Sequence, residues 1–220
     1  MSKGDSRFIL ITGIDGSGKT TVAKILTKQI SKNGLDYCYV HANEVPILMR
    51  LVKICVKFVF MRKHDPFMDY EPYVKQKEVL SSQHPFLSAL YRILLAIDYA
   101  PQVVWKICVP LALGKRLVVD RYIYDVVINL GLNLNYSFDQ YRKDISLFFR
   151  IFPIPDMSIF LDTDEHTAFS RKDDVPSIDY LKERRSLYLY LAEIDRISVI
   201  KGKGTPEQIA REIEVELHAL

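Results

Sequence analysis

FILITGIDGSGKTT, residues 8–21, decides the fold. Its first five residues, Phe8 to Thr12, are apolar and β-favouring without alternation, the pattern of a short strand buried on both faces. Gly13 to Thr20 then matches G-x-x-x-x-G-K-[ST] in full. Behind it Val22, Ile25, Leu26 and Ile30 recur at helical spacing before Gly34, which predicts a helix from Lys19 to Asn33. A strand, a glycine loop and a helix in that order are the context in which the pattern means a loop wrapped around phosphate. Gly13, Gly16 and Gly18 carry no Cβ, so the loop can turn its N–H groups toward an anion at the positive end of the helix. Lys19 adds a point charge against β and γ phosphates, and the Thr20 hydroxyl is a hard oxygen suited to Mg²⁺. The expected ATP contacts are Gly13, Asp15, Gly16, Ser17, Gly18, Lys19, Thr20 and Thr21.

Four more strands follow from the same kind of reading. Tyr37 to Val40 is the second; Arg116 to Asp120 (RLVVD) and Met157 to Asp162 (MSIFLD) are apolar runs that each end in a carboxylate; Ile197 to Ile200 is the last. Helices are expected between them at Val45 to Arg62, Tyr122 to Leu134, Asp139 to Phe152 and Ile178 to Glu193. A long helical stretch from Pro85 to Leu113 has Pro101 and Pro110 as kinks or breaks, and His64 to Tyr73 reads as a loop. The final helix begins at Pro206, where Thr205-Pro206-Glu207-Gln208 supplies a capping box. Strands separated by helices predict an α/β fold: a parallel sheet of about five strands with helices on both faces, in a single domain spanning 1–220.

Composition narrows the function classes. The 220 residues are 49% hydrophobic and 26% charged, enough for a core and unlike a disordered chain. A net charge of +3, with no basic stripe interleaved with aromatics, gives no reason to expect a nucleic-acid partner. Cys38, Cys55 and Cys108 lie too far apart in sequence for a zinc or dithiol pattern, so reduced, buried thiols are expected, and the five histidines are scattered. The opening MSKGDSRFILITGIDG lacks the shape of a signal peptide. Lys53, Lys57, Lys106 and Lys115 cut the later apolar runs short of the about 18 residues a membrane span needs. A cytoplasmic protein with no membrane partner is the expectation.

Three blocks, ITGIDGSGKTT (11–21), LVVDRY (117–122) and FLDTDEHTAFSRKDD (160–174), resemble the thymidylate kinases in residues, order and spacing. These are nucleoside monophosphate kinases of the P-loop class. The resemblance implies ATP as donor, Mg²⁺ held at Thr20 and Asp120, a nucleoside monophosphate acceptor such as dTMP, and a homodimer. It matches Asp120 to the acid near metal and phosphates, and Arg121, with Tyr122 beside it, to the arginine that grips the acceptor phosphate. A guanidinium fork is suited to that task on chemical grounds too. Asp15 matches a carboxylate that faces the acceptor sugar; read from the loop alone, it could equally cap its own turn. The lid falls at about 171–178. The family's transition-state arginine comes from the P-loop or the lid, and because Ile14, Asp15, Gly16 and Ser17 carry no base, it falls to Arg171, Arg184 or Arg185, Arg171 first. The expected catalytic set is Lys19, Asp120, Arg121 and Arg171.

The acceptor side, about 41–113, departs from the family pattern. Where an Arg-Glu-Pro-like segment is usual the chain reads YVHANEVPILMR (39–50), and a second arginine of the family aligns with Tyr99. Arg50 and Arg92 are the candidates to compensate, so the expected acceptor contacts are Asp15, Arg121, Tyr122, Tyr99, Arg92 and Arg50. Two rivals stay open: a kinase of another nucleotide, deoxynucleoside or phosphorylated metabolite, and a nucleotide-binding regulatory module that transfers nothing. The basic, apolar segment 45–62 reads as core packing with a solvated edge, an acceptor wall, a dimer face or a membrane-surface helix.

Overall fold

The computed structural model describes residues 6–32, 34–42 and 85–219. The expected helix at 45–62, the expected loop at 64–73, Cys55 and Arg50 lie outside the described residues. The strands are β1 (Phe8–Thr12), β2 (Tyr37–His41), β3 (Arg116–Asp120), β4 (Met157–Asp162) and β5 (Ser198–Lys201), and they form one all-parallel sheet in the order β2-β3-β1-β4-β5. The described helices are α1 (Lys19–Lys32), α2 (Pro85–Val103), α3 (Val109–Ala112), α4 (Ile123–Leu134), α5 (Phe138–Ile151), α6 (Glu165–Ser170), α7 (Ile178–Asp195) and α8 (Pro206–Ala219).

Both faces of the central strands β1, β3 and β4 are largely buried, which is why they read as apolar runs. Successive side chains of β1 feed two cores. Phe8 and Leu10 join Leu117, Val119 and Phe160 under α2, α4 and α7, while Ile9 and Ile11 join Val118, Ile159 and Leu161 under α1 and α8. β1 therefore lies in the middle of the sheet. Its register sets Ile11 beside Asp120, so the loop leaving β1 and the acid ending β3 emerge side by side at the carboxyl edge, where open parallel sheets bind ligands.

The stretch expected to kink at proline changes its winding instead. Pro101 sits inside α2, and after Val103 the chain runs through a π-helical turn, Val104–Cys108, into α3. A proline has no N–H for the carbonyl four residues back, and a nearby change of winding is a common way to absorb that loss. Pro110 occupies the first turn of α3, where the missing N–H matters little. By length and composition alone, Ala89–Ala112, 24 residues of mean hydropathy 1.3, could cross a membrane. In the fold it is two-sided: Leu95, Tyr99, Val103 and Ile107 enter the core, and Ile93, Ile97, Val104 and Trp105 face outward.

Other local readings agree with the structure within a residue or two. The Thr205 N–H donates to Gln208 Oε1 at 2.9 Å and the Gln208 N–H to Thr205 Oγ1 at 3.3 Å, the reciprocal box read from sequence. Cys38 and Cys108 are free thiols, half-buried where full burial was expected.

Candidate active site

The loop after β1 takes the shape its glycines permit. Gly16 and Gly18 have φ of 81° and 90°, in the left-handed region where a side chain is strained. A Cβ on Gly16 would also run into the carbonyl of Ala168 in α6, so the loop and α6 touch backbone to backbone. Thr163, just beyond β4, donates from its hydroxyl to the Ser17 carbonyl at 3.4 Å. Lys19 starts α1 and is buried, its ammonium donating to the Ile14 carbonyl at 2.7 Å. Burial, and then the nearby Arg121 guanidinium, bring it down to about 8, against the pull of Asp15, Asp125 and Asp120.

Asp120 has no solvent exposure, and three donors converge on its Oδ2: Thr20 Oγ1 at 2.5 Å, His41 Nδ1 at 3.0 Å and Tyr39 Oη at 3.1 Å. Its Oδ1 is buried with no hydrogen-bond partner among the described residues. An orphaned carboxylate oxygen beside a threonine hydroxyl, at the start of α1, is an oxygen-donor set that fits Mg²⁺. Among the described residues no group of three or more His, Cys, Asp or Glu side chains is placed to hold a metal ion.

Arg121 follows Asp120 with φ of 67°, rare for a residue with a Cβ and common at sites that must aim a side chain. Its N–H still bonds the Ile11 carbonyl at 3.1 Å, so the turn is tied to β1. The guanidinium donates to Asp15 Oδ1 across the loop and reaches Asp125 Oδ1 at 3.4 Å. Asp15 also has Lys172 Nζ at 3.7 Å and accepts from Tyr180 Oη at 3.5 Å. Burial alone would raise its carboxyl; Arg121, Lys19 and Lys172 outweigh that and hold it far below the usual carboxylate range.

Asp125 is the residue the sequence reading missed. It is buried and accepts from Thr12 Oγ1 at 2.7 Å, Tyr188 Oη at 2.8 Å and the Tyr122 N–H at 3.2 Å. It stands three residues after the N-cap of α4, the spacing of a capping acid, and that spacing could have drawn attention to it.

Three of the expected acceptor contacts have other partners or lie in the core. Tyr122 is fully buried, its ring against Phe8 at 5.3 Å between centroids and its hydroxyl donating to the Pro153 carbonyl, so its side chain is core, running toward the start of β1 and away from the loop. Arg92 points to α5, where it donates to Asp144 and lies over the Tyr136 ring. Asp144 also accepts from Tyr136 Oη at 2.7 Å, so one amino group of Arg92 is held in a network at α5. Tyr99 stands in the core beside Tyr122, and its hydroxyl has no hydrogen-bond partner among the described residues. Of the three candidate arginines, Arg171 is exposed, Arg184 donates to Asn129 Oδ1 at 2.9 Å and stacks on Tyr180, and Arg185 is bound to Asp162 and Glu165.

A glycine loop, a buried lysine and a carboxylate–arginine pair at the carboxyl edge of a parallel sheet define a P-loop α/β protein arranged around polyphosphate. Comparison with known proteins gives the chemistry. The chain is 28% identical to a probable thymidylate kinase of Thermococcus gammatolerans over 94% of its own length and 93% of that protein. It is 26% identical to a thymidylate kinase of Kosmotoga olearia over 95% and 94%, and 22% identical to one of Carboxydothermus hydrogenoformans over 97% and 98%. It matches no protein-family model. Together with the site, these end-to-end likenesses make the protein a phosphotransferase.

Proposed function

We propose that the protein is an ATP- and Mg²⁺-dependent nucleoside monophosphate kinase that moves the γ-phosphoryl group of ATP onto dTMP, giving dTDP. The observation that carries this reading is the Arg121 guanidinium, aimed by a strained backbone at the same Asp15 carboxylate that lies within the phosphate loop. A guanidinium fork at this position suits a grip on an acceptor phosphate. The relatives' names supply the acceptor.

The residues then divide the work. Loop N–H groups and Lys19 hold the β and γ phosphates, and Thr20 and Asp120 would hold Mg²⁺, which when bound neutralises charge on the transferring group. Arg121 fixes the acceptor phosphate so that one of its oxygens faces the γ phosphorus. A P–O bond forms to that oxygen as the bond to the bridging oxygen breaks, and ADP leaves with the electron pair. Asp15 accepts a hydrogen bond from the acceptor sugar once the phosphates have drawn its cations away. The protein works in the cytoplasm, as a homodimer.

The Tyr99 hydroxyl, buried with no hydrogen-bond partner among the described residues, and the engaged Arg92 favour a second reading, a kinase whose acceptor is not dTMP. Coupled assay of ADP formation against dTMP, other monophosphates, nucleosides and phosphorylated metabolites tests both. Transfer to dTMP at the highest kcat/KM is the expected result; a larger kcat/KM for another acceptor installs the second reading, and ADP release indifferent to every acceptor rejects both.

A further inference from the structure

Among the basic side chains after α6 and in the first half of α7, contact with the phosphate loop singles one out. Arg171 ends α6 with its guanidinium exposed and free of hydrogen bonds and ion pairs among the described residues. Arg184 is stacked on Tyr180 with its donor on Asn129, and Arg185 is bidentate to Asp162. Lys172 alone among these four contacts a loop residue, its ammonium 3.7 Å from Asp15 Oδ1 and 3.2 Å from Asp174 Oδ1.

We propose that Lys172 is a catalytic residue, the cation that closes on the phosphoryl group in transit, and that Asp15 holds its place until nucleotide binds. This rests on the phosphoryl-transfer reading above. Arg121 and Lys172 come from opposite ends of the site, the acceptor strand and the lid, and both are on the same oxygen, Oδ1 of Asp15. Lys19 adds a third positive charge around that carboxylate. One carboxylate with a donor-side, an acceptor-side and a lid cation around it has the surroundings that a phosphoryl group needs while charge spreads over its equatorial oxygens. Asp15 thus occupies, in electrostatic terms, the position of a phosphate oxygen. A bound triphosphate and monophosphate offer the same cations more negative charge, so Lys172 and Arg121 transfer to them and Asp15 is left for the acceptor sugar. The backbone contact of Gly16 with Ala168 keeps the lid root against the loop, so Lys172, four residues beyond Ala168, has a short distance to travel. A lysine can do this without the planar approach an arginine requires, since it acts as a point charge.

The test is steady-state kinetics of Lys172→Met, Lys172→Arg and Arg171→Met with the best acceptor from the panel, beside titration with a fluorescent ATP analogue. Lys172→Met should lower kcat by ~10²–10³-fold, the loss typical of removing one transition-state charge partner. Acceptor KM and analogue affinity should stay within about threefold, because the charge acts in the transition state and not in ground-state binding. Lys172→Arg should recover most of kcat, and Arg171→Met should lose far less of it than Lys172→Met. Loss of kcat in Arg171→Met with Lys172→Met unaffected overturns the assignment and leaves the kinase reading intact. Lost analogue binding at unchanged kcat in Lys172→Met makes it a binding residue only and also overturns it. Wild-type protein that transfers phosphate to no acceptor overturns both.

Discussion

Lys19 is the residue whose charge depends most on what occupies the site. Its ammonium is disfavoured by burial and then by Arg121, so it titrates near 8 in the free protein against an ordinary 10.5. Between those values the unfolded chain binds more protons than the folded one, and Lys19 therefore contributes rising stability as pH climbs from about 8 toward 10.5. A polyphosphate reverses the preference by favouring the charged form. ATP binding at pH 8 should then take up a proton, on the order of half per site, and affinity should fall above that pH. Calorimetry in two buffers of different ionisation enthalpy reads this directly; a binding heat independent of buffer contradicts it. Lys19→Ala should abolish both the uptake and most turnover. Asp125 offers a second prediction. Asp125→Ala strands Arg121, Thr12 and Tyr188 beside a buried gap, and urea denaturation should show a loss of about 3 kcal/mol, the scale for removing one partner of a buried ion pair. The contrast between these residues shows what a sequence exposes. Lys19 belongs to a contiguous pattern with one physical purpose, whereas Asp125 matters through Thr12 and Tyr188, 113 and 63 residues away. Arg121 was legible as a phosphate-binding type after a strand; its pairing with Asp15, 106 residues distant, was not.

Elements were legible where their chemistry is local. β1, β3 and β4 were readable to the residue because strands covered on both faces have no polar positions to blur their ends. α6 escaped notice because six residues give fewer than two turns, too few for a periodic stripe, although Asp164 caps it by accepting from the Thr167 N–H at 2.9 Å. Its packing could not be seen either, since the need for a glycine at 16 comes from a carbonyl at 168. Gly16→Ala combines a strained φ with that collision, and ATP-analogue affinity should fall on the order of tenfold while the thermal melt changes little. Gly131 tests the opposite case, an element held by packing remote from the loop. It lies within α4, where alanine would suit the helix, yet a Cβ there would meet the Tyr141 ring of α5. Gly131→Ala should destabilise the fold by ~1–3 kcal/mol, the usual scale of overpacking, with ATP-analogue affinity unchanged. Equal stability in the two proteins would mean that α5 shifts freely against α4.

At the scale of the whole molecule, the outward side of α2 and the π turn sets the expectation. Phe86, Leu90, Ile93, Ile97 and Val104 follow one another at helical spacing, with Trp105 alongside at 75% exposure. A row of large side chains exposed in this way marks an interaction surface more often than a tolerated accident. The row belongs to the same helix that sends Tyr99 and Leu95 into the core. A second copy is the cover proposed above, because one continuous helical stripe can pair with its own image about a twofold axis, each residue meeting the other's counterpart. Ile97→Glu puts a charge at an exposed position on the stripe and breaks no contact in the core. Light scattering after gel filtration should give about twice the 25.5 kDa chain mass for the wild type and the chain mass for the variant, with the circular dichroism of the two superimposed. Sedimentation with vesicles separates the remaining alternative, since 24 residues of this hydropathy would also suit a lipid surface. A monomeric wild type that pellets with vesicles and is released by Ile97→Glu would replace the dimer by a membrane contact. A wild-type dimer that stays in the supernatant leaves the row to protein, and acceptor KM in the dissociated variant then reports whether pairing of the α2 helices shapes the acceptor site.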